Sequence, residues 1–328
     1  MTQPNIEPTP EFNARCMHIL DRWESGELPF KDAVDQMNAL GRTAVERGHL
    51  VDHGRVELLL GTLQGYRANL DASIAHFEHA RTLFEQAGNR PRAIGALLSL
   101  GETYRWKGDF KRARQLFRAT YDGACELGLL DVRVISAYNE ALMLLSLGHV
   151  DSAKAQFAKA LLLANELPPD QLDKRIELTT EIQAALVEVY LSLNDPFAAW
   201  EQGVMAYHLA WELKQPLQTA TVHRALGQVI STLSALPDDA PQHLSADPDE
   251  HFRLATEAFQ EIKADGEVAR TMYAHGVSLA QRGRTMAASR KLQQSMIIFT
   301  RLGMADYAAK AAQAQTEVLS YANMPNPQ

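Results

Sequence analysis

Leu100-Gly101-Glu102-Thr103-Tyr104-Arg105-Trp106-Lys107-Gly108-Asp109-Phe110-Lys111-Arg112-Ala113-Arg114-Gln115-Leu116-Phe117 is the stretch whose reading decides the fold. Leu97, Leu100, Gly101 and Tyr104 follow the i, i+3, i+4, i+7 spacing of one helix face. Phe110, Ala113, Phe117 and Thr120 form a similar face on the next helix. Lys107-Gly108-Asp109 breaks the two apart. A glycine there permits the left-handed residue that ends a helix, and Asp109 can cap the helix that follows. The unit is therefore a pair of antiparallel helices.

The same unit recurs. The turns at Ala68-Asn69-Leu70-Asp71, Gly108-Asp109-Phe110-Lys111 and Gly148-His149-Val150-Asp151 stand 40 residues apart. So do the small residues Ser73, Ala113 and Ala153, and the large residues Phe77, Phe117 and Phe157. A fixed period of this length marks a repeat array. An N-terminal pair, Glu11–Trp23 and Phe30–Arg47, is expected around a break at Ser25-Gly26. Repeats begin near Val51, Pro91 and Asp131; a fifth runs from Arg175 to Gln215 after the inserted Leu167-Pro168-Pro169-Asp170. A sixth starts at Leu217, a seventh near Glu267, and a last helix, Asp306–Tyr321, covers the open end. No segment sustains the period-2 alternation of a strand. The expected fold class is all-α, a right-handed solenoid of antiparallel helix pairs. Residues 1–10 and 322–328 are expected to be disordered tails, and 11–321 one solenoid of about seven pairs plus the final helix. Residues 236–250, with three prolines and four aspartates, are expected to be an inserted loop.

Composition narrows the function. Of 328 residues, 46% are hydrophobic and 22% charged, with a formal net charge of −8. That balance argues against a direct nucleic-acid binder, which usually shows a basic face. The local basic run of Lys107, Lys111, Arg112, Arg114 and Arg118 reads as a solvated helix surface. Cys16 and Cys125 are too few and too far apart for a disulfide framework or a zinc site, and they fit a reducing compartment. The N-terminus lacks the basic and apolar regions of a secretory signal, and no apolar run reaches the ~18 residues of a membrane span. A cytoplasmic protein is expected. G-x-S-x-G, P-loop and H-E-x-x-H motifs are missing, so no enzyme activity is expected, and no cofactor. His76 and His79 form an i, i+3 pair that would ligate a metal only with partners from elsewhere; a solvated pair is the expectation, with no metal.

Leu100-Gly101-x-x-Tyr104, then Gly108-Asp109-Phe110-x-x-Ala113, then Phe117 and Thr120, resembles the tetratricopeptide repeat. Leu60-Gly61, Ala141, Leu186-Val187, Leu226-Gly227 and His275-Gly276 take the matching helix-A position in other repeats. The period near 40 resembles the longer-helix variety of kinesin light chains and of bacterial regulators, including quorum-sensing peptide receptors. Two positions depart from the pattern: His18-Ile19 stands in place of Leu-Gly, and Gly203 in place of a large residue. Glycine inside a helix costs about 1 kcal/mol against alanine. Its recurrence at Gly61, Gly101, Gly227 and Gly276 therefore implies a close approach of the partner helix.

The resemblance implies that helix A of each pair lines a concave groove. The groove positions it nominates are Arg55, Thr62, Tyr66, Glu102, Arg105, Trp106, Tyr138, Glu188, Arg224, Gln228, Arg270 and Tyr273, with Leu58, Leu98, Leu142 and Glu181 beside them. Aromatic residues interleaved with arginine are the composition of interaction hot spots. Individual rings can equally fill gaps between repeats. The expected function is a non-catalytic scaffold that binds a protein or peptide in the groove. The alternative is a ligand- or peptide-responsive regulator of a partner protein. No membrane partner is expected, and a homo-oligomer is left open.

Overall fold

The structure is a computed structural model and describes residues 7–24 and 27–322. The break expected at Ser25-Gly26, and the tail residues 1–6 and 323–328, lie outside the described residues. Among the described residues there are fifteen α-helices and no strand. The chain divides into two compact units, Met1–Ser136 and Ala137–Gln328. In the first lie α1 (Pro10–Glu24), α2 (Phe30–Glu46), α3 (Leu50–Tyr66), α4 (Leu70–Gln86), α5 (Arg90–Lys107) and α6 (Phe110–Leu127). Helix α7 (Leu130–Ser146) crosses the division. The second unit continues with α8 (Val150–Asn165), α9 (Leu172–Ser192), α10 (Pro196–Leu213) and α11 (Pro216–Ile230). It ends with α12 (Pro248–Glu261), α13 (Asp265–Gln281), α14 (Thr285–Arg301) and α15 (Ala305–Ala322).

Backbone chemistry at the helix ends sets the metre. Positive φ occurs at Gly48, Ala68, Gly88, Gly108, Gly128 and Gly148, every twentieth residue. It recurs at Asn194 and Lys214, then at Lys263, Gly283 and Gly303, again in steps of twenty. Each of these left-handed residues closes a helix and turns the chain back. The 40-residue sequence period is thus two such half-steps. The next helix is often capped at once: Asn89, Asp109 and Asp195 accept from the backbone N–H of Arg92, Arg112 and Ala198 at 3.0–3.1 Å.

Packing within a pair explains the small-and-large pattern. A Cβ on Gly61 would stand 2.6 Å from the Phe77 ring, and one on Gly101 would stand 2.6 Å from Phe117. Gly227 faces Phe252 in the same way, and Gly276 faces Leu292. The large residue of helix B is seated on the helix-A glycine, so the two axes close up. Phe117 and Phe157 are fully buried as a result. Gly203, where a large residue was expected, instead receives Leu226 from the neighbouring helix α11, which a Cβ would meet at 3.3 Å. In the first unit the core gathers Trp23, Met37, Leu60 and Leu63; in the second, Val187, Trp200, Leu226 and Val229.

Two expected boundaries are corrected. The N-terminal tail does not extend to residue 10. Pro8 is buried, Thr9 donates its backbone N–H to the buried Asp52 carboxylate at 2.9 Å, and Pro10 already opens α1. The inserted loop covers 231–247 rather than 236–250. Pro248 supplies the first turn of α12, where its missing N–H costs nothing, and Asp247 caps that helix. The loop also carries Leu244 into the core beside Val229 and Ile230.

Candidate functional site

The nominated groove residues fall into both units, and each set has its own geometry. In the first unit, the Arg55 side chain reaches from α3 to α1, donating to Asn13 Oδ1 at 2.9 Å and Met17 Sδ at 3.2 Å. Burial, with the nearby Arg92 charge, lowers its pKa from the ordinary value. Thr62 bonds back to the Leu58 carbonyl of its own helix at 3.1 Å. Tyr66 packs its ring 5.5 Å from Trp23 and keeps an exposed edge. Arg105 is only 5% exposed and sits 5.3 Å from the Trp106 ring centre, with Glu102 and Trp106 half-buried. Of the two arginines expected as groove positions, Arg55 ties α3 to α1 and is half-buried, while Arg105 is buried.

The second unit gathers its residues around a shared anion. Glu267 of α13 accepts from Arg270 at 2.9 Å and from Arg224 of α11. All three side chains are 20% exposed or less. Burial alone would raise the Glu267 carboxyl, but the charges of Arg270 and Arg224 outweigh it and hold it down at about 2. Burial disfavours the Arg270 cation. Glu267, with Tyr307, Glu188 and Tyr138 adding to it, outweighs that and raises Arg270 above its ordinary value. Tyr273 is raised by burial and by the charges of Glu188 and Glu317. Arg224 also lies 5.1 Å from the Phe259 ring centre, and Gln228 stands one turn along the same helix, half-buried. Tyr138 leans on Phe157 at 5.9 Å.

These side chains come from α7, α9, α11, α13 and α15, the first helices of successive pairs and the final helix. Neighbouring members pack directly: α9 on α11, α11 on α13, α13 on α15. Lys310 of α15 donates to the Ser146 carbonyl at the end of α7 at 2.7 Å. The last helix of this unit therefore returns to its first. The outcome is a face on which Arg224, Arg270 and Glu267 pair, Glu188, Tyr138 and Tyr307 act on Arg270, and Tyr273 feels Glu188 and Glu317. Such a face can pair with carboxylates, amides and aromatic side chains of an extended polar segment.

Sequence reasoning missed Glu267, Tyr307 and Glu317. The i, i+3 spacing of Glu267 and Arg270 was a visible signal. Tyr307 and Glu317 were assigned to a covering helix, and no local pattern shows that this helix returns to α7. The basic run Lys107, Lys111, Arg112, Arg114 and Arg118 is exposed on α5 and α6. His76 and His79 were expected to be a solvated pair; His79 is exposed and His76 half-buried, and both reach Glu57 of α3, His76 Nδ1 at 2.7 Å and His79 Nδ1 at 3.4 Å. Among the described residues, no helix is long and apolar enough to cross a membrane.

No protein-family model matches this chain, nor does any curated protein. Solved structures do share its fold. RapI in its apo form is 11% identical, with a TM-score of 0.65 over 89% of this chain and 98% of that one. A Rap protein complexed with competence and sporulation factor is 16% identical, with a TM-score of 0.60 over 95% and 85%. The Rap conjugation gene regulator of the plasmid pLS20, in complex with the Phr* peptide, is 16% identical, with a TM-score of 0.57 over 84% and 76%. This chain has the paired-helix repeat fold of those Rap proteins.

Proposed function

We propose that this protein is a non-catalytic, tetratricopeptide-like binding protein that holds a polar peptide or partner segment on the inner face of its second unit. The observation that carries the reading is the Arg224–Glu267–Arg270 group, ringed by Tyr138, Glu188, Tyr273 and Tyr307. Two buried arginines share one carboxylate, and aromatic surface stands beside them. That is an anchor of the kind found at hot spots. Glu188 is exposed beside this group, where it can receive a ligand cation. Two of the similar structures hold a named factor or peptide, which supports the same use of the fold here.

A photo-crosslinking amino acid placed at Tyr273 tests this in cells. Crosslinks to a discrete peptide or protein are expected there, absent from a control at the exposed Arg253, and lost in the Arg270→Glu variant. Equal crosslinking at both positions would remove the inner face from consideration. The second reading is a regulator whose ligand changes its shape. It is favoured by the inserted loop 231–247, which is latched to α11 and α12 by a few titratable side chains. Small-angle scattering with and without the crosslinked ligand separates the two: a change in radius of gyration marks the regulator, and none marks the scaffold.

A further inference from the structure

Glu57 and His53 stand one turn apart on α3 and face His76 and His79 on α4. Glu57 Oε1 is 3.4 Å from His53 Nε2 and 3.4 Å from His79 Nδ1. The ligating atoms of His53, Glu57 and His79 all lie within 4.8 Å of one another. The two imidazole rings are 5.0 Å apart and nearly perpendicular, at 83°. Zinc–nitrogen and zinc–oxygen bonds of about 2.0–2.1 Å in a tetrahedron set neighbouring ligand atoms about 3.3–3.4 Å apart. Both measured edges at Glu57 meet that spacing, and small rotations of the half-exposed His79 ring bring in the third.

The outer oxygen of Glu57 is held as well. Oε2 lies 2.7 Å from His76 Nδ1, which fixes the carboxylate plane and turns Oε1 toward the other two ligands. An outer histidine on a ligating carboxylate is a recurring support for metal sites. One side of the group opens on a cavity of about 530 Å³ between α2 and α3, lined by His53, Glu57, Asp35, Asn38, Arg42 and Glu46.

We propose that His53, Glu57 and His79 form a binding site for a divalent transition-metal ion of the zinc type, with His76 as the positioning residue for Glu57. Two imidazoles and one carboxylate suit zinc, cobalt, nickel or copper; calcium and magnesium prefer all-oxygen sets. Three protein ligands leave a fourth position, which faces the cavity and would take water or a donor group of a ligand lodged there. This site lies in the first unit and is independent of the peptide face.

The test uses the full chain, stripped with a chelator and titrated with cobalt chloride. One equivalent is expected to bind, giving the intense visible absorption of tetrahedral cobalt, and zinc chloride should displace it. His79→Ala is half-exposed and leaves the core untouched, so it should stay folded by circular dichroism yet bind cobalt at least about tenfold more weakly. Glu57→Gln and His53→Ala should do the same, and His76→Ala should weaken binding by about tenfold. His223→Ala, a histidine of the second unit, should bind as the parent does. Failure to bind cobalt or zinc at a 1:1 ratio, or unchanged binding in His79→Ala, would overturn the assignment.

Discussion

At residue scale, the glycine that opens the repeat pattern is a packing device. A Cβ on Gly101 would sit 2.6 Å from Phe117, which is 1% exposed. Gly101→Ala gains about 1 kcal/mol of helix propensity and loses more to overpacking, typically about 1–3 kcal/mol. The expected result is a net loss read as a lower urea midpoint. Phe117→Leu in the same chain should recover part of it, because the two residues are in contact and their effects do not add. Ala68 gives the opposite case. It holds φ at 54°, where its equivalents at 48, 88 and 108 are glycine. Ala68→Gly should raise stability by about 0.5–1 kcal/mol, since a side chain in the left-handed region costs roughly 1–2 kcal/mol and glycine returns some of it as unfolded-state entropy. An unchanged urea midpoint would count against that reading. A close approach of the partner helix at Gly101 was legible from the recurrence of the glycine; that Phe117 is the residue seated there came from the structure.

At the scale of elements, the inserted loop is anchored by chemistry as much as by Leu244. His251 Nε2 meets the Ser245 carbonyl at 3.0 Å, and its Nδ1 meets His223 Nδ1 of α11 at 2.9 Å. Two ring nitrogens at that distance share one hydrogen, so neither ring pair can be doubly charged without opening. Burial, then the His251 charge, lowers His223 to about 4. The folded state therefore takes up this proton less readily than the unfolded chain, whose histidines titrate near 6.5. Stability from this pair is complete above pH ~6.5 and declines as pH falls toward about 4. Thermal melts across that range should show the decline, and His223→Leu should flatten it. Asp249, at the start of α12, works in a lower window. Burial alone would raise it, but hydrogen bonds from Arg282 and His275 hold it at about 2. The loop's existence was legible from its prolines and aspartates. Its latch was not, because His223, which holds His251, comes from a separate helix, α11.

For the whole molecule, the inner face of the second unit concentrates the energetic risk. Glu267→Gln leaves Arg224 and Arg270 facing each other without their shared counter-charge. Breaking such a buried group should cost about 3 kcal/mol, seen as a fall in urea midpoint. The loss should shrink in an Arg224→Met background, where only one cation remains to be balanced. The sequence by itself determined the all-α class, the 40-residue step, the helix pairs and the glycines at which a partner helix comes close. Those depend on contacts within one repeat, and one repeat is short enough to leave its whole pattern in the sequence. Only the tertiary structure decided that Lys310 returns to Ser146, that Arg55 reaches back to Asn13 of α1, and that Glu267 is shared by Arg224 and Arg270. The reason is physical. Each of these joins side chains on different helices, and which faces meet depends on how successive pairs rotate as they stack, a summed angle that no local spacing records.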